Sequence, residues 1–179
     1  MVPSRALTST LKFFLFGIIF LMPLVFWTDL FLTFELPKIT FFRILTLVLC
    51  FLLLVKLFLD EKMEFPKVSR IFWFASGFLI LAFLLAVIFS VAPAVSFWGS
   101  YFRQQGLMTH VFFWLFAAVI LVFCDKRGVA ALLRVLMWSA FFVSVLGIFQ
   151  RFLPFFSSFW DVDSFLGRIF STMGHPNYL

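Results

Sequence analysis

Apolar residues in this chain come in long continuous runs, without the alternation of a half-buried strand or the one-sided stripe of a surface helix. A helix needs roughly 20 apolar residues to cross the ~30 Å hydrocarbon layer of a bilayer. Five stretches meet that requirement, at about 11–27, 39–59, 71–89, 108–123 and 129–149. Polar connectors separate them: Thr28 to Lys38, Asp60 to Arg70, Ser90 to Leu107, and the tight turn Cys124 to Gly128. None is long enough for a soluble domain of its own. The pattern predicts an all-α integral membrane protein with about five transmembrane helices, since helices satisfy every backbone amide within lipid. Arg5 and Lys12 ahead of the first run resemble a secretory signal. The bulky sequence Leu21-Met22-Pro23, followed by Phe26 and Trp27, offers no small-residue cleavage site, so the segment reads as a retained signal anchor.

Composition strengthens this picture. Of 179 residues 64% are apolar and 12% charged, too few charges to cover a soluble fold of this length. Lys and Arg exceed Asp and Glu by 14 to 8, but the basic residues flank the apolar runs and act as topology signals, so no nucleic acid partner is implied. A cytoplasmic N-terminus places nine on the inner side: Arg5, Lys12, Lys56, Lys62, Lys67, Arg70, Lys126, Arg127 and Arg134. Five fall outside, namely Lys38, Arg43, Arg103, Arg151 and Arg168, which favours that orientation. Trp27, Trp98, Tyr101 and Trp160 then gather at the outer interface. The 32 Phe residues are the ordinary lipid-facing filling of such helices. Cys50 lies mid-span and Cys124 at a helix end, which argues against a structural disulfide.

Two outer segments carry the candidate chemistry. In Ser90–Leu107, Pro93, Gly99 and Gly106 break helix around one cation, Arg103. An arginine in an apolar, aromatic loop suits gripping an anion, and an interfacial anchor snorkelling to lipid phosphate is the plainer reading. The outer loop at 150–176 is too polar for a complete span. Ser158 and Asp161 have capping-box spacing, and Phe159, Val162, Leu166 and Ile169 recur at helical intervals, predicting a short amphipathic interfacial helix. After it, Gly174 permits a turn and Pro176 suits a first helical position, so a sixth span is predicted to start there. Free amides at that helix start, with Ser171, Thr172, Asn177 and nearby Arg168, would make an anion site. His175 has no neighbouring His or Cys, so no metal and no cofactor are expected. The chain stops just inside this presumed helix, and the expectation is that it forms a single transmembrane domain, residues 1–179, the N-terminal half of a longer protein.

The segments Ser96-Phe-Trp-Gly-Ser-Tyr-Phe-Arg-Gln-Gln-Gly-Leu-Met-Thr109 and Arg168 through Gly174-His-Pro-Asn177 together resemble the N-terminal half of the O-antigen ligase and O-antigen polymerase family. The resemblance implies a multi-pass glycosyltransferase of the bacterial inner membrane, working in cell-surface polysaccharide (lipopolysaccharide) biosynthesis. Such a transferase moves a glycan from undecaprenyl pyrophosphate to a glycan, lipid or protein acceptor on the periplasmic side. It marks Arg103, Arg168 and Asn177 as candidate pyrophosphate-binding residues and Gly99, Gly106, Gly174 and Pro176 as loop-shaping ones. The family usually carries Gly-Asn-Pro-Asn where this chain has Gly174-His175-Pro176-Asn177. Its catalytic residues lie on a later periplasmic loop, so these residues alone are expected to be inactive. His110, at the outer start of a span, reads as structural. The rival readings are a non-catalytic membrane scaffold or subunit and a lipid-linked-sugar transporter. The transporter would call for charges or broken helices at mid-membrane, and no carboxylate stands at the middle of any run.

Overall fold

The computed structural model describes residues 4–27, 34–59, 69–100, 104–123, 126–152 and 171–173. These residues form six α-helices and no strand. The helices are α1 (Ser4–Leu21), α2 (Glu35–Leu59), α3 (Arg70–Ile88), α4 (Pro93–Trp98), α5 (Leu107–Phe123) and α6 (Lys126–Phe152). Four segments are long and apolar enough to cross a membrane: Leu7–Leu24, Glu35–Leu59, Arg70–Ile88 and Arg127–Phe152. α5 is a shorter apolar helix of 17 residues. The predicted interfacial helix and the start of a sixth span lie outside the described residues.

α1 starts at Ser4, ahead of its apolar run. It ends where Pro23, which has no amide hydrogen, draws the chain into a 3₁₀ turn over Met22–Leu24. α2 opens with Glu35 in its first turn and Pro37 close behind, and closes with Lys56 in its last turn. Both ends complement the helix dipole. The connector after α3 is not purely loop, as its breakers had suggested. Pro93 begins α4, where its missing N–H would have been unpaired in any case.

α1 sits at the centre. Leu11, Leu15 and Ile18, at intervals of four and three, are wholly or almost wholly buried between α2 and α6. α2 buries Phe42, Thr46 and Leu49, Phe42 meeting the Phe113 and Phe116 rings of α5, and α5 adds Phe112, Val119 and Phe123 to the core. α6 buries a more polar stripe, Ser139, Val143, Gly147 and Gln150, of which Ser139 meets α1, its hydroxyl donating to the Phe20 carbonyl at 2.8 Å. α3 stands at the edge against α4 and α5, with none of its residues buried. Its apolar surface on every side is what lipid contact requires.

Named contacts fix which helix ends lie together. Lys56, late in α2, donates to the Thr8 hydroxyl early in α1 at 2.8 Å and lies 5.2 Å from the Phe123 ring centre at the close of α5. At the other end, Arg43 of α2 reaches Thr109 near the start of α5. Phe83, late in α3, stacks on His110 with ring centres 4.2 Å apart. The starts of α1, α3 and α6 therefore share one end of the bundle with the close of α2 and α5. The starts of α2 and α5 and the close of α1, α3 and α6 share the other.

Candidate functional site

The second end gathers the polar contacts, and the first turns of α2 organise them. Lys38 and Arg43 lie about a turn and a half apart on that helix. The Lys38 ammonium donates to the Thr172 carbonyl. Arg43, half-buried, donates through Nη2 to the Thr109 hydroxyl at 2.5 Å and to the Gln104 carbonyl at 3.2 Å. The Thr109 hydroxyl donates in turn to that same carbonyl at 2.5 Å. One guanidinium nitrogen, one hydroxyl and one peptide carbonyl thus close a three-membered ring of hydrogen bonds. Arg43 Nε and, one turn deeper, Thr46 Oγ1 are buried without a hydrogen-bond partner. A charge desolvated in this way holds its remaining partners more strongly than it would in water.

The backbone flanking the carbonyl that Arg43 grips is closely packed. Gly99, with φ of +96°, leaves α4, and Gly106 caps α5, accepting from the amides of Thr109 at 3.0 Å and His110 at 3.3 Å. The two glycines abut: a methyl group at Gly106 would collide with the Gly99 nitrogen and the Phe97 carbonyl, and one at Gly99 with the backbone of Gln104. Between them the Gln104 amide returns to the Ser100 carbonyl at 2.8 Å. Gln104 itself has φ of 52°, a left-handed conformation that a side chain with a Cβ resists. His110 Nδ1 lies 2.9 Å from the Gly106 carbonyl. A carbonyl only accepts, so Nδ1 carries the proton in this contact.

Residues 171–173 form a second anchored turn. The Ser171 amide donates to Gln150 Oε1 at 2.8 Å and its hydroxyl to the Val143 carbonyl at 2.6 Å. The Thr172 hydroxyl donates to the Pro23 carbonyl at 2.7 Å, using an acceptor that the broken end of α1 leaves available. Both residues are fully buried. This turn therefore ties α1, α2 and α6 together at one point.

Of the candidate site residues, Gly99 and Gly106 have the places just described. Arg103, Arg168, Gly174, Pro176 and Asn177 lie outside the described residues. In the chain Arg103 directly precedes Gln104, and Arg168 lies three positions before Ser171. Reading the sequence counted Lys38 and Arg43 only as outer charges and missed them as clasps. The available signal was the place of Arg43 inside an apolar run, where a cation is costly and commonly has a partner within the bundle. No family model, curated protein or solved structure matches the chain.

Proposed function

We propose that the chain is the N-terminal membrane part of a glycosyltransferase of the O-antigen ligase or polymerase type. It would act on an undecaprenyl-pyrophosphate-linked glycan at the outer face of the bacterial inner membrane, with the N-terminus in the cytoplasm and α5 as the fifth span. The observation that supports this reading is the pair of clasps on α2. Arg43 holds the carbonyl of Gln104 and Lys38 that of Thr172, so the two segments that carry the resemblance are moored to one helix at one end of the bundle. Cleaving a sugar from pyrophosphate leaves negative charge on the leaving group, and fixed cations beside it lower the barrier. Arg103 and Arg168, next to the two moorings in the chain, are the cations assigned that role.

The test is glycan transfer by the full-length protein in membrane vesicles supplied with the lipid-linked donor. Arg103→Ala and Arg168→Ala are each expected to lower transfer about a hundredfold, the scale of losing one electrostatic stabiliser, with the amount of inserted protein unchanged. Lysine at either position should rescue in part, since an ammonium cannot grip phosphate with two parallel hydrogen bonds. Undiminished transfer by both alanine variants would remove the proposed role.

A further inference from the structure

We infer that Arg43 is a positioning residue, bracing the Gln104 peptide from inside the bundle and so fixing the backbone to which Arg103 is joined. Its consequence for transfer rests on the reading above; the brace itself does not.

Four features around Gln104 converge on this side chain. Gln104 is held left-handed, at φ of 52°, without being a glycine. Its amide donates to the Ser100 carbonyl at 2.8 Å, a bond that does not involve its own carbonyl. The carbonyl is taken by Thr109 and Arg43 together, and Arg43 also donates to Thr109, which orients the single hydroxyl proton toward Gln104. Finally, Gly99 and Gly106 abut, and Gly99 also meets the backbone of Gln104, so the peptide that Arg43 holds is the one packed against both glycines. The direction of the brace is as informative as its existence. Arg43 sits within the apolar run of α2, with Nε buried and unpartnered, and its Nη2 is directed at the loop. A guanidinium whose only role was to anchor the helix at the surface would direct its donors to headgroups and water.

The experiment reads the Ser100–Gln104 contact directly. In full-length protein with Cys50→Ala and Cys124→Ser, a Ser100→Cys probe is labelled with a membrane-impermeant maleimide, and its rate reports how often residue 100 parts from Gln104. Arg43→Leu and Thr109→Val are each expected to raise the rate about tenfold, as for loss of a hydrogen bond from a charged donor, and Arg43→Lys by less. Because the two side chains act in one ring, the double variant should label no faster than the faster single variant. Unchanged labelling in Arg43→Leu or Thr109→Val, or fully additive effects, would overturn the brace. If Arg43→Leu fails to accumulate in the membrane, Thr109→Val and Arg43→Lys decide the matter by the same criteria. Glycan transfer in the probe-free variants should fall in the order of labelling. A wild-type protein without transfer activity would sink the enzymatic reading and leave the labelling result standing.

Discussion

At the residue scale, the glycines of this chain divide into two kinds. Gly17 in α1 and Gly77 in α3 have nothing within 4 Å of where a Cβ would stand. Alanine at either site is expected to stabilise by up to about 1 kcal/mol, because it lowers the backbone entropy lost on folding without a clash. At Gly106 the same change drives a methyl into the Gly99 nitrogen and the Phe97 carbonyl, backbone atoms that cannot step aside. A cost of about 1–3 kcal/mol is expected there, and Gly99→Ala adds the strain of its positive φ. Thermal unfolding of the purified protein in detergent compares them, and equal midpoints for Gly77→Ala and Gly106→Ala would contradict the close backbone approach. Sequence alone shows that both loop glycines interrupt helix. It does not show that they touch, since that contact depends on the path of the intervening backbone. The brace was hidden for a related reason: Arg43 and Thr109 are far apart in the chain, and no local spacing connects them.

Among the helices, burial separates what hydropathy leaves alike. α2 and α3 are comparably apolar stretches, yet Leu49 of α2 is fully buried while Leu81 of α3 is 53% exposed. Lipid is as apolar as a protein interior, so an apolar run carries no mark of which faces meet protein. This is why the existence and approximate limits of the five long helices were legible in the sequence, the short α4 apart, while their neighbours were not. Polar positions carry more. The stripe of Ser139, Gly147 and Gln150 singles out the packed face of α6, and Lys56 finds Thr8 and the Phe123 ring. Packing differences yield a direct prediction. Leu15→Ala, which opens a cavity among α1, α2 and α6, should cost about 2–5 kcal/mol, and Leu81→Ala, whose space lipid can fill, less than about 1 kcal/mol. Unfolding titrations in mixed micelles measure both. Similar losses at the two sites would mean that α3 is packed against protein in the membrane.

For the whole molecule, the decisive quantity is the number of crossings. α5 has 17 residues and so rises about 25 Å, somewhat less than the ~30 Å hydrocarbon thickness. A shortfall of that size is met by local thinning of the bilayer or by the flanking residues, at fractions of a kcal/mol per Å. The packing requires α5 to run parallel to α2, because Arg43 meets Thr109 at one end and Lys56 meets Phe123 at the other. If α2 crosses the membrane, α5 then covers almost the same depth beside it. Single cysteines at Ser69, Val91, Gln105 and Arg127, in a chain lacking Cys50 and Cys124, examine this in intact spheroplasts. Val91 and Gln105 are expected to react with an impermeant reagent at once, and Ser69 and Arg127 only after permeabilisation, as the nine-to-five division of basic residues favours. Reaction of Gln105 and Arg127 from the same side would make α5 re-entrant and leave four crossings. A complete reversal of the pattern would keep the bundle but turn the Arg43 loop toward the cytoplasm, where a periplasmic transferase has no use for it.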